Sequence, residues 1–423
     1  MRNESITIIG TAPHTFHGAG TIKHRILHAL HEAGYDVHFV GLGHPHFLQR
    51  FQDQSFTAHS VITPESQAYR DSGKTFWSTY SLAEKIADLA LEKVGAGQRV
   101  ILWGTYLHPY VQSLCLANDY IAQAGGERLP ILSFPAGSDI WESGPAVARS
   151  VRLLLESPGI SGRATYSKRF IREIRSRYGI RAPFFALPPL LDRLQFRMIS
   201  RQEREGAKRL AGIPKGAVVL LHHSNLRPVK RVQDTIVLAE LAAGECAHPV
   251  ILLIVGPEEP GGPPWRQEFV LFNVPRRARD GTNITIVSVG LASDVRPYLE
   301  IADVAVNTSV HDSFNVSLLE AAWSGSVCVT TRAPAISDYF KAGKCGVLLS
   351  YQEGMRFMEP GAMASLSISP FNLKKGAKEL APLLDNQDAR DGMARDADAF
   401  LTRHLNQASV LFKYERALRS LIQ

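Results

Sequence analysis

Residues 224–231, Ser-Asn-Leu-Arg-Pro-Val-Lys-Arg, bring three cations together just after an apolar run that closes on His222 and His223. Arg227 and Arg231 can each grip phosphate oxygens through paired N–H groups, and Lys230 supplies a compact charge, while Pro228 stiffens the segment. That combination suits a diphosphate clamp. The same residues would also make an ordinary solvated basic loop, and both readings stand at this point. His222 and His223 read as the end of a strand, because no further metal-ligand spacing accompanies them.

A second cluster lies in HDSFNVSLLEAAWSGSVCVTT, residues 311–331, where an apolar run gives way to a loop and then to a helical pattern ending at a glycine. With a helix starting near Asn315, Asp312 sits in the loop and Glu320 lies just over a turn inside. Both acids could then face one ligand resting on the helix N-terminus, where unpaired backbone N–H groups favour an anion. The competing reading is structural: Ser317-Leu-Leu-Glu320 also fits a capping box, which would occupy Glu320 locally. A third candidate is Gly18-Ala19-Gly20, ahead of a helix starting near Thr21, where small residues let backbone amides approach a phosphate. It is not a G-x-G-x-x-G fingerprint, because Lys23 stands at the third glycine position.

The elements that must position these residues are short apolar runs: 6–10, 37–41, 100–103, 130–134, 218–223, 250–256, 284–290, 304–309 and 327–331. Continuous apolar strands with helical patterns between them predict parallel sheets covered on both faces. Ile22, Ile26, Leu27, Leu30 and Ala33 recur at helical spacing and Gly34 stops the run, so the chain opens with a β-turn-α-β unit. Pro183, Pro188 and Pro189 break any helix between the first set of strands and the second. The prediction is therefore two α/β domains, 1–190 and 199–400, facing each other across a cleft, and a C-terminal helix from 401 to 423. PEEPGGPPW, 257–265, reads as a surface loop.

Composition bounds the answer without choosing it. A chain of 423 residues, 45% hydrophobic and 21% charged, excludes disordered and collagenous classes. Its charge of +7 asks for an anionic partner. Between Arg163 and Arg209 there are thirteen Lys and Arg against four acids, a stretch that reads as a solvated helical face or as a contact with an anionic membrane. Few aromatics interleave with those charges, which argues against nucleic acid. Cys115, Cys246, Cys328 and Cys345 lie far apart, giving neither a disulfide framework nor a zinc site. No signal peptide or membrane span is recognisable, so a cytoplasmic location is expected. Asp396-Ala-Asp398 matches D-x-D superficially, but it falls in a late helical stretch without a preceding strand, so no metal is expected there.

The segment DSFNVSLLEAAWSG resembles the E-x-F-G-x-x-x-x-E-A-x-x-x-G signature of family 4 retaining glycosyltransferases, which have the two-domain GT-B fold. The resemblance extends in element order over nearly the whole chain, with the last helix crossing back to the first domain. It implies that Asp312 contacts the donor sugar, that amides of Phe314, Asn315, Val316 and Ser317 bind diphosphate, and that Glu320 holds the ribose. The clamp is similar to the family's G-R-x-x-x-x-K-G element, with Lys230 as the phosphate lysine and Gly18, Ala19 and Gly20 in the glycine-rich loop. A UDP-sugar donor and an unidentified hydroxyl acceptor follow as partners, with no separate cofactor.

Three positions depart from the pattern. Asp312 is one methylene shorter than the usual Glu, and Asn225 replaces an Arg, leaving Arg227 or Arg231 to compensate. In FPAGSDI, 134–140, Ala136 stands where a His usually touches the sugar at its 6-hydroxyl. The sugar pocket would comprise Ala136 and Ser138, with a donor modified at that carbon or a contact from Thr105 or His108. Asp139 would orient the acceptor or cap the helix that follows it. The departing phosphate would take the acceptor proton, so no dedicated base is implied. A non-catalytic sugar-nucleotide-binding or partner protein and a sugar-nucleotide epimerase of the same architecture remain as alternatives.

Overall fold

The computed structural model describes residues 6–12, 19–42, 56–61, 76–137, 140, 145–191, 193–257, 276–277, 283–292, 294–355 and 360–423. Contacts divide the chain into two compact units, 1–191 together with 407–423, and 192–406.

The first unit is built on a seven-stranded sheet of β1 (Ile6–Thr11), β2 (Asp36–Leu42), β3 (Thr57–Val61), β4 (Arg99–Thr105), β5 (Ile131–Phe134), β6 (Gly162–Thr165) and β7 (Phe185–Ala186). Their order is β3-β2-β1-β4-β5-β6-β7, and every pairing is parallel. Parallel neighbours require crossovers, supplied here by α1 (Ala19–Glu32), α2 (Phe76–Gly95), α3 (Gln112–Gln123), α4 (Pro145–Glu156) and α5 (Lys168–Tyr178). Strand order runs one way from β1 to β3 and the other way from β4 to β7, so right-handed crossovers put α1 on one face and α2 to α5 on the other. Gly34, at φ +94°, ends the first crossover helix as its position in the sequence demanded.

The second unit repeats this plan with β8 (Val218–His223), β9 (Val250–Val255), β10 (Arg276–Arg277), β11 (Ile284–Gly290), β12 (Val304–Asn307), β13 (Val327–Thr331) and β14 (Val347–Leu349). The order is β10-β11-β9-β8-β12-β13-β14, parallel except for β10. Its helices are α6 (Arg201–Leu210), α7 (Val232–Ala243), α8 (Arg296–Ile301), α9 (Val316–Trp323), α10 (Ile336–Gly343), α11 (Pro360–Ala364), α12 (Leu373–Asp385) and α13 (Gln387–Leu405). The core of this unit lies between Leu220, Leu252, Val304 and Val329 of the sheet and Leu238, Ala242, Leu380 and Leu384 of the helices.

The tail is two helices. Asn406 is extended between α13 and α14 (Gln407–Ser420), so the last helix starts at 407 and not at 401. α14 packs on the α1 face of the first unit, where Tyr414 stacks on Trp103 at 5.7 Å and lies against the carbonyls of Leu187 and Pro188 at 3.2 and 3.0 Å. Asp396 and Asp398 lie inside α13, and Asp398 is paired with Arg193, which gives that carboxylate a structural task.

The basic 163–209 stretch is not one surface. Arg163 is buried and donates to the carbonyls of Leu155 and Ser157. Arg204 is buried against the carbonyls of Ser324 and Gly325 at 3.0 Å, and Lys208 is buried 2.7 Å from Asp303. These cations bolt elements together; the exposed ones divide between α5, with Lys168, Arg172, Arg175 and Arg177, and the later Arg181, Arg197, Arg201 and Arg209.

Candidate active site in the second unit

In an open parallel sheet the crevice for a ligand lies at the carboxyl ends of strands, where the strand order reverses. In the second unit that point is between β8 and β12, which pair only at Val304↔Leu220 and Ala305↔Leu221 before diverging. The loop after β8 carries the clamp and the loop after β12 carries Asp312, so topology brings together two clusters about eighty residues apart in sequence.

Lys230 Nζ sits 2.5 Å from Asp312 Oδ2, and both side chains are largely buried. The other carboxylate oxygen accepts from the backbone N–H of Phe314 at 3.2 Å and of Asn315 at 2.9 Å. Burial alone would raise the Asp312 carboxyl, but the lysine charge and hydrogen bond, with the Phe314 N–H, outweigh it and hold the group below the usual carboxylate range. Asp312 is ionised at neutral pH.

Those amide contacts correct one expectation. Phe314 and Asn315 N–H are already spent on Asp312, so of the four amides expected to meet an anion, Val316 and Ser317, the first two residues of α9, are left as candidates. The capping-box reading of Ser317 and Glu320 also falls. Asn315, in the left-handed conformation at φ 74°, is the N-cap, and its side chain accepts from Leu318 N–H. Glu320 is thereby a full turn inside the helix, and its carboxylate meets His223 Nε2 at 3.2 Å. His223, the last residue of β8, is a candidate site residue that pattern reading passed over as a strand end.

Arg231 is likewise reassigned. It is 1% exposed, with Nε and Nη2 on the two oxygens of Asp234 at 2.8 and 3.0 Å, and it donates also to the carbonyls of Met363, Ala364, Leu366 and Ile368. A guanidinium has five N–H groups, and these partners use them all. No donor is left for a phosphate. Arg227 and Asn225 are half-buried in the loop, with Arg227 N–H on the Asn225 carbonyl at 2.8 Å.

A polar relay fixes the two loops. Ser224 Oγ meets His222 Nε2 at 2.8 Å, His222 Nδ1 meets Thr235 Oγ1 at 3.1 Å, and Thr235 meets Thr308 at 2.8 Å. Thr308 in turn donates to the Arg231 carbonyl at 2.7 Å. Burial, then the neighbouring His223 and Lys230 charges, push His222 down to about 3. His222 is therefore neutral in the folded protein and protonated in the unfolded chain between pH ~6.5 and about 3. Because the unfolded state binds the extra proton there, stability should fall as pH drops through that window. His222→Gln is expected to flatten the decline in urea midpoint between pH 6.5 and 4, a range set by roughly those two limits.

In the first unit, Ala19 and Gly20 are the first two residues of α1. Gly18, Ser138 and Asp139 lie outside the described residues, as does 258–265 of the Gly/Pro-rich segment. Lys23, in the position of the fingerprint's third glycine, is 2% exposed with Nζ 3.4 Å over the Trp103 ring, and burial drives its pKa well below the ordinary lysine value. Thr105 ends β4 and is buried, while Ala136 is buried two residues beyond β5. Register pairs Thr105 with Phe134, so Thr105 and Ala136 belong to adjacent strand ends. His108 is half-buried and bonded to Gln112.

Two parallel-sheet units of this kind define the GT-B fold of glycosyltransferases. Residues 217–359, which contain the clamp, Asp312 and Glu320, match the family described as Glycosyl transferases group 1, and the match falls within the second unit. Over 337 residues, 78% of this chain and 80% of the relative, the chain is 24% identical to N-acetyl-alpha-D-glucosaminyl L-malate synthase of Bacillus anthracis. Among solved structures it is similar to HepE of Anabaena in complex with UDP and glucose, at TM-score 0.73 and 14% identity over 98% of this chain and 99% of that one. Sucrose-phosphate synthase from Thermosynechococcus elongatus gives TM-score 0.70 and 13% identity over 98% and 99%.

Proposed function

We propose that the protein is a retaining, metal-independent glycosyltransferase that moves a sugar from a UDP-sugar to a hydroxyl of an acceptor. The observation that carries this reading is the Lys230–Asp312 pair at the switch point of the second sheet, next to the first N–H groups of α9. The bound complexes of HepE with UDP and with UDP-glucose support the choice of donor.

In the reaction the bond from the anomeric carbon to the β-phosphate oxygen breaks as the acceptor oxygen attacks from the same face. Negative charge grows on the diphosphate, and stabilising it is the largest demand on the site. Lys230, Arg227 and the Val316 and Ser317 N–H groups supply that stabilisation without a metal. The acceptor proton passes to the departing phosphate. Asp312, held ionised and anchored at one oxygen, receives a sugar hydroxyl at the other. Glu320, oriented by His223, takes the ribose hydroxyls.

Glu320→Ala should weaken UDP binding about tenfold to a hundredfold, since hydrogen bonds to a charged group contribute roughly 1.5–3 kcal/mol. The melting temperature should hold, because Asn315 rather than Glu320 caps the helix. Calorimetric titration with UDP reads the effect; normal affinity with lowered melting would return Glu320 to a structural role. Thermal-shift screening of UDP-, GDP- and dTDP-sugars tests the donor, because bound ligand stabilises in proportion to affinity. Release of UDP with retention of anomeric configuration in the product tests the reaction; binding without turnover would favour a non-catalytic protein, and an epimerised donor an epimerase.

A further inference from the structure

The transfer reaction leaves the exposed charge of the first unit unused. α5, KRFIREIRSRY, buries Phe170, Ile171, Ile174 and Tyr178 against the sheet and turns Lys168, Arg172 and Arg175 outward, a single stripe at i, i+4 and i+7. α4, its neighbour on the same face, exposes Arg149 and Arg152, and next to Arg152 in the same helix Leu153 stands 65% exposed. Among the described residues, Arg149, Arg152, Lys168 and Arg172 take part in no ion pair. The acids of these helices are engaged: Glu173 pairs with Arg169 at 3.1 Å, and Glu156 accepts the Arg181 backbone N–H at 2.6 Å.

We infer that the outer face of α4 and α5 docks on an anionic lipid bilayer. A helix lying flat at an interface needs a buried apolar side to hold it to its own domain or to the lipid, a row of long cations to reach the phosphates, and an apolar side chain to enter the acyl boundary. Here the row is Arg149, Arg152, Lys168, Arg172 and Arg175, and the inserting side chain is Leu153. The long stems let the charged ends reach headgroups while the methylenes lie along the surface. Nucleic acid would use the same charge but needs aromatic faces for bases to stack on, and both aromatics of α5, Phe170 and Tyr178, are buried. The docking surface is independent of the donor site, which lies in the other unit.

The full-length protein is tested by flotation with vesicles of phosphatidylcholine alone and of phosphatidylcholine with phosphatidylglycerol. It is expected to float with the anionic vesicles only and to be released by salt, as screening of surface charge requires. The Arg172→Glu, Arg175→Glu double variant should weaken vesicle affinity by about thirtyfold or more, since each cation near the leaflet contributes about 1 kcal/mol and two are lost. Leu153→Ser should weaken binding to anionic vesicles while leaving its salt dependence. Both variants should keep wild-type UDP binding and melting temperature. Equal flotation with neutral vesicles, binding insensitive to the double reversal, or displacement of the protein from vesicles by poly-U RNA would each overturn the proposal.

Discussion

Replacing Lys230 with Ala is expected to lower turnover by about two orders of magnitude or more, because removing a charge partner of a transition-state oxyanion costs roughly 3 kcal/mol or more. The fold should survive the change. Asp312 keeps its bonds to the Phe314 and Asn315 N–H groups, and among the described residues the Lys230 amine bonds to Asp312 alone. The loss should fall on kcat more than on UDP affinity, since the interaction strengthens as the phosphate charge develops. Steady-state release of UDP, with circular dichroism as a check on folding, measures it. Unchanged kinetics would refute the clamp.

The second large effect runs the other way, on stability rather than rate. Arg231→Ala removes a buried guanidinium and leaves the Asp234 carboxylate, 3% exposed, without its partner. Breaking a buried pair from one side costs roughly 3–5 kcal/mol. The carbonyls at 363–368 lose their donor at the same time. For a domain of this size the melting temperature of the second unit should fall by about 6–20 °C, at roughly 2–4 °C per kcal/mol. UDP affinity measured well below the transition should be retained. A variant that melts normally and binds UDP poorly would return Arg231 to the phosphate.

Adjacent in sequence, Lys230 and Arg231 were read alike from the chain, and the structure separates them completely. Cation spacing reports that charge gathers after a strand; it does not report which charge turns outward. Arg231 is decided by Asp234 one turn on and by carbonyls more than a hundred residues away, and no local pattern carries that information. The apolar strands were legible because parallel strands covered on both faces need unbroken apolar runs. β3, Thr-Ala-His-Ser-Val, and β6, Gly-Arg-Ala-Thr, carry no such run. In β6 an Arg is tolerated inside the sheet because its guanidinium finds the carbonyls of Leu155 and Ser157. A shared ligand for Asp312 and the clamp was implied by the resemblance, whereas their direct pairing depends on β8 and β12 lying side by side, which no local pattern states. His223 was missed because a histidine closing a strand looks the same whether or not an acid on the next helix reaches it. Asn315 was placed near the helix start, but its left-handed turn depends on backbone geometry that residue type alone only permits.

The placement of α14 sets the order in which the molecule can be finished on the ribosome. Residues 407–423 belong to the first unit, yet they are synthesised after all 215 residues of the second, 192–406. Until they emerge, Trp103 lacks the ring of Tyr414 above it, and the carbonyls of Leu187 and Pro188 lack its hydroxyl. Domains generally fold as units from the N-terminus as they appear. Here the second unit, made of one continuous stretch, can close first, while the nascent first unit holds an open apolar face until α14 emerges to cover it. The domain begun first is completed last.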